Sequence, residues 1–145
     1  MTMDPDRKAA VLWACAVAER VLSEFETDFP DDERPRAALQ AGRDWAEGRL
    51  TPSLARAAAF ASHAAARMAQ AQGFGRACAA ARAAGHAAAS AHVIGHAHHA
   101  AAYALKAADD PVGEAQLQRR ALQNDLAWLV RGPKYPGRPL AKDPE

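Results

Sequence analysis

Five of the six histidines in this 145-residue chain lie in one stretch, AGHAAASAHVIGHAHHAAAYALK, from Ala84 to Lys106, on an alanine background with no carboxylate. Imidazole changes charge near neutral pH and is a common transition-metal ligand, so the chemistry on offer is proton handling or metal binding. If one helix ran through the stretch, His92, His96 and His99 would fall within about 60° of one face, with His86 and His98 pointing elsewhere. His92 and His99 would then be roughly 10 Å apart along the axis, so a single ion could take His92 with His96, or His96 with His99, but not all three. Further ligands would have to come from another helix, from His63, Glu19, Asp44 or Glu47, none of which stands at a metal-specific spacing. HExxH, paired Glu-x-x-His motifs, a phosphate-cradling GxxxxGKS loop and a nucleophile elbow are all absent.

His63, His92 and His96 thus form a metal-binding alternative, as part of a His-dependent metal-binding protein or metalloenzyme. The competing reading is structural. His63 and His92 bond backbone groups, or the hydroxyls of Ser62 and Ser90, where alanine-rich helices approach closely, while His98 and His99 lie near solvent and add pH-sensitive charge. On that reading no metal, no cofactor and no catalytic residue is expected.

The elements that must position these side chains are helices. Forty residues are alanine and about half of the positions from Ala55 to Ala108 are, and alanine is the strongest intrinsic helix former. No segment sustains the apolar–polar alternation of a strand. The expected fold is all-α, a compact bundle of five or six helices with alanine-rich central helices. Asp4-Pro5, Thr51-Pro52 and Asp110-Pro111 each pair a capping side chain with a proline suited to the first helical position. Val11 or Leu12, Cys15, Ala18, Leu22, Phe25 and Phe29 recur at steps of three and four, a stripe with Trp13 at its edge that faces the core. Pro30 breaks that helix near Asp28; Asp32 or Glu33 opens the next, which carries Trp45 and stops at Gly48. A third helix from Thr51 stops at Gly73–Gly75, and a fourth starts near Arg76. Unbroken to Ala108 it would be about 50 Å long, more than a small domain covers, so it is expected to break at Val93-Ile94-Gly95. The last helix is read as carrying Leu117, Leu122, Leu126, Trp128 and Leu129 to Gly132-Pro133. Residues 1–132 are read as one domain and the Pro-rich 133–145 as an extended or disordered tail.

Charge divides the chain. Residues 1–50 hold eleven acids and seven bases, whereas 51–108 hold five bases and no acid. Five dispersed charges are too few for a nucleic-acid footprint, so nucleic acid is not expected as a partner; the acidic first helices are expected to satisfy the basic middle ones within the fold. No run approaches the ~20 apolar residues of a membrane span, and no export signal is visible, which points to a soluble cytoplasmic protein with Cys15 and Cys78 as buried reduced thiols.

The runs WACAVAERVLSEFETDFPDDERPRAALQAGRDWAEGRL, ARAAAFASHAAAR and ARAAGHAAASAHVIGHAHHAAAYALKAA together resemble the immunity proteins of bacterial polymorphic-toxin systems. The resemblance covers most of the chain and is carried by its non-alanine anchors: Trp13, Glu19, Arg20, Pro35, Trp45, His63, Gly85, His86, His92 and His96. It implies an all-α, non-enzymatic protein that protects its producer by binding a cognate toxin. It brings no catalytic residues, and the GPKYPGRPLAKDPE tail is not part of it. The turn Asp31-Asp32-Glu33-Arg34-Pro35-Arg36 exposes both signs of charge, so Asp31, Asp32, Arg34 and Arg36 are candidate partner contacts, with a local capping role as the alternative. Alanine faces also associate between chains, which leaves a homo-oligomeric helical scaffold open.

Overall fold

The computed structural model describes residues 3–122 and 126; the last part of the expected final helix and the 133–145 tail lie outside the described residues. All regular structure among the described residues is α-helical. The segments are α1 (Pro5–Val21), α2 (Ser23–Glu26), α3 (Arg34–Ala46), α4 (Pro52–Ala71), α5 (Gly75–Ala89), α6 (His96–Ala107) and α7 (Pro111–Ala121). The single turn α2 prolongs α1 past Leu22, so the described residues form six helices of substantial length, within the five or six expected.

The helix starts follow the expected local chemistry. Asp4, Thr51 and Asp110 accept the backbone N–H of Asp6, Leu54 and Gly113 respectively, each ahead of a proline in the first turn. Asp32 accepts the N–H of Arg34 and so closes the start of α3. Gly48 and Gly73 follow α3 and α4 with φ of 77° and 88°, a left-handed conformation that glycine adopts without steric cost.

The core sits around α5. Ten of its fifteen residues are buried, so it is covered on nearly every side, and α1, α2, α3, α4 and α6 all pack against it. Alanine makes this possible, because the helix axes approach closely without displacing larger side chains. The bulk of the core comes from the other half: Val11, Val17, Leu22 and Phe25 of the α1–α2 arm and Leu39 of α3 are fully buried, with Trp13 and Trp45 nearly so. No helix among the described residues is long and apolar enough to cross a membrane.

The helix does break before α6. After Ala89 the chain turns through residues 90–95, the Ser90 hydroxyl donates to the Ala87 carbonyl at 2.6 Å, and α6 folds back onto α5. The two glycines of this region, Gly85 and Gly95, have different surroundings. A Cβ on Gly85 would lie 2.7 Å from the His63 ring, so this glycine permits a real close approach; Gly95 has nothing within 4 Å and faces open space.

α7 runs to Ala121, with Leu122 in extended conformation, and its Leu117 is exposed; most of the expected stretch from there to Gly132 lies outside the described residues. Polar contacts seat it. Arg20 forks onto the buried Glu114 carboxylate with both bonds at 2.8 Å, Trp13 Nε1 donates to the Gln118 carbonyl at 3.0 Å, and the buried Gln118 amide donates to the Ala101 carbonyl. Amphipathic spacing alone does not reveal a helix held by such bonds.

Candidate functional site

Three helices contribute side chains to one face. Along α4, Arg56, Phe60, His63 and Arg67 follow at four, three and four residues, which sets them on a single stripe. Arg82 and His86 stand one turn apart on α5, and His96, His99, Tyr103 and Lys106 follow at three, four and three on α6. Ring contacts join the stripes. His86 is central: its ring centroid lies 4.8 Å from that of His63, 5.2 Å from those of His96 and His99, and 5.4 Å from that of Tyr103, to which it is stacked at 7°. Cations flank the rings, with Arg56 over Phe60 at 4.8 Å and Lys106 over Tyr103 at 4.9 Å.

His86 Nδ1 and His96 Nδ1 are 3.0 Å apart, so one ring must donate and the other accept. Protonating both would place two N–H groups face to face. Burial lowers the His86 pKa to about 3, aided by His63, His96, His99 and Arg82. Burial also lowers His63 to about 4, with Arg82, His96 and Arg67 adding repulsion, and lowers His96, with His99 and His92 contributing. Every named electrostatic contribution to these three groups is repulsive, because the surrounding sequence is acid-free. The imidazoles are therefore neutral near pH 7.

His63, His92 and His96 do line a common concavity of about 330 Å³, together with Arg56, Phe60 and Val93. The close imidazole pair is nevertheless His86 with His96, not His92 with His96. The continuous-helix picture pointed His86 elsewhere; the turn at 90–95 brings it against α6. His92 is exposed on that turn, where its carbonyl accepts from Arg7, so it is not a close-packed group. His98 is half-buried, with Nε2 lacking a hydrogen-bond partner among the described residues, whereas His99 is exposed as expected. His63 Nδ1 is likewise buried and unpartnered among the described residues, and it is Ser62, not His63, that bonds across the helices, its hydroxyl donating to the Ala81 carbonyl. Among the described residues no three His, Cys, Asp or Glu side chains are grouped to hold a metal ion. Cys15 is fully buried and its thiol is pushed up to about 12 by burial, far from a nucleophile at neutral pH.

The other charged candidates close on themselves. Arg34 forks onto Asp32 at 2.9 and 2.6 Å, and Arg36 onto Glu26 at 2.7 and 2.8 Å, reaching Glu19 at 3.5 Å. Glu19 also pairs with Arg43, and the guanidinium hydrogen bonds hold the Glu19, Glu26 and Asp32 carboxyls below their ordinary range. Asp31 is exposed, in a concavity formed by Asp28 to Arg34. Pro35 is buried at the start of α3, as is Trp45 near its end. The expected neutralisation of the basic middle by the acidic first helices reduces to one residue: Arg76 reaches Glu24 at 3.2 Å and Asp109 at 2.6 Å. Arg56, Arg67, Arg82 and Lys106 form no ion pair with a described residue. Sequence reasoning did not single out Phe60, Arg67, Arg82 and Tyr103 as one face, although the four-three-four spacing from Arg56 to Arg67 carried a usable signal.

In comparison with known proteins, the family described as Imm-5 like putative immunity protein matches residues 2–130. No curated protein and no solved structure matches the chain.

Proposed function

The chain belongs to the Imm-5 like immunity protein family, and on that premise we propose that it neutralises a cognate bacterial toxin by stoichiometric binding, without catalysis of its own. The match over residues 2–130 carries this reading, since it takes in every helix from α1 to α7. Three features support binding over catalysis. The cysteine in the core is protonated and buried, the clustered imidazoles are held neutral among cations, and the exposed face that contains them presents arginine and aromatic side chains of the kind enriched at protein interfaces. A rigid helical scaffold suits such a role, because a preformed face loses little conformational freedom on binding.

Co-expression with the toxin encoded beside its gene tests the proposal. Restored growth of the toxin-producing host and a 1:1 complex by size-exclusion chromatography with light scattering are the expected results. Absence of both complex and protection would sink the immunity reading.

A further inference from the structure

Arg56, Arg67, Arg82 and Lys106 of the α4–α6 half lack, among the described residues, the carboxylate partners that Arg20, Arg34, Arg36 and Arg43 of the α1–α3 half possess; Arg76 of α5 alone reaches Glu24 and Asp109. Arg67 and Arg82 both push the His63 pKa down, so their field converges on one region and nothing in the described fold neutralises it. Large apolar side chains are exposed among them, Phe60 at 56% and Val93 at 49%, and both line the concavity that Arg56 borders. Arginine beside an aromatic anchor, with carboxylates absent, is the composition of an interface core whose partner supplies the negative charge.

We propose that this face is the toxin-docking surface, with carboxylates of an acidic protein partner seating on Arg56, Arg67 and Arg82 around the Phe60–Val93 anchor. The assignment rests on the immunity reading and adds to it the location and the charge of the contact. Phosphate backbones fit less well, because four unpaired cations fall short of the roughly six to ten phosphate contacts of a nucleic-acid footprint, and exposed Val93 offers nothing to a phosphate. The Asp28–Arg34 turn is the competing surface. Its guanidinium is already held by Asp32, and apart from half-buried Phe29 it exposes only polar groups and Pro30.

The test uses full-length protein and the neighbouring toxin, with affinity measured by calorimetry for wild type, the triple variant R56E/R67E/R82E, Phe60→Ala and Asp31→Lys. The triple variant is expected to bind roughly 100-fold more weakly through lost charge complementarity, Phe60→Ala roughly 10-fold more weakly, and Asp31→Lys as wild type. Wild-type association should slow by about 10-fold between about 50 and about 500 mM salt. Arg56 and Arg67 are exposed, so the double variant R56E/R67E, expected to lose about 10-fold, replaces the triple variant if that one no longer unfolds cooperatively. Wild-type affinity in the charge-reversed variants overturns the assignment while leaving the immunity reading intact, as does loss confined to Asp31→Lys. Absence of wild-type binding overturns both. Micromolar binding of a single-stranded oligonucleotide that the triple variant abolishes overturns it in favour of nucleic acid, and a wild-type dimer dissolved by the same variant does so in favour of a second copy.

Discussion

The α1–α3 half and the α4–α6 half of the bundle solve the same packing problem with opposite materials. In the first, large side chains such as Phe25, Leu22 and Trp45 fill the core, and the arginines from Arg20 onward each hold a carboxylate. In the second, alanines bring helices close, histidines fill the seam, and Arg56, Arg67, Arg82 and Lys106 have no ion-pair partner among the described residues. Electrostatic satisfaction and packing density are therefore separable properties of one fold. The half that satisfies its charges is organised for stability, and the half that leaves them open has binding energy available for a partner.

The sharpest way to break this contrast is to exchange the materials. Phe25→Ala should destabilise by about 3–5 kcal/mol in urea unfolding, because a fully buried ring leaves a cavity among α1, α2 and α5. The alanine half should fail in the opposite direction. Ala88 is fully buried with its Cα 3.7 Å from where a Cβ on Gly42 would sit, so Ala88→Leu should cost about 3 kcal/mol by overpacking. Tolerance of the larger residue there would show that the close packing of α5 is not a requirement.

Arg20→Ala should cost about 2 kcal/mol, measured by thermal unfolding, since it leaves the buried Glu114 carboxylate without its fork. Protection of α7 amides from hydrogen exchange should fall first, because that ion pair seats α7 on α1.

Acid should distinguish the halves by pH window. His63 and His86 have folded pKa values depressed from 6.5 to about 4 and about 3, so between those limits the unfolded chain binds more protons than the native one. Their contribution is fully present above pH 6.5 and is lost as pH falls toward the folded values. The carboxylates of Glu19, Glu26 and Asp32 are also depressed, but from ordinary values of 4.5, 4.5 and 3.8, so their loss comes at lower pH. Allowing for the partial exposure of both rings, the midpoint of thermal unfolding should fall by about 5 °C between pH 7 and pH 5.5. A His63→Gln, His86→Gln double variant should flatten that slope, and an unchanged slope would assign it to other groups.

The smallest effects sharpen the comparison of surface charges. Arg36→Ala should cost up to about 1 kcal/mol through its Glu26 and Glu19 pairs, whereas Arg67→Ala should stay within about 0.5 kcal/mol of wild type. Equal costs at the two positions would mean that the unpaired half has internal partners after all.

Much of the fold was legible in the residues themselves. Asp4-Pro5, Thr51-Pro52 and Asp110-Pro111 mark helix starts because capping and the proline φ act within a few residues, and β-branching beside Gly95 marks the break before α6 for the same local reason. The seat of α7 was not legible, because it depends on Arg20–Glu114 and Gln118 bonds, polar contacts that hydrophobic spacing does not encode. The candidate site was only half legible. Alanine richness, the acid-free stretch from 51 to 108 and the histidine run were present in the sequence alone, together with the family anchors. Tertiary structure decided which histidines meet. The turn at 90–95 folds α6 back onto α5, so His86 and His96, ten residues apart and assigned to different faces of an imagined continuous helix, come within 3.0 Å, while His92 goes to solvent. Helix propensity and capping are local free energies that a short window of sequence states directly, whereas the pairing of helix faces depends on how the turns direct one helix onto the next and on which side chains are small enough to let them close.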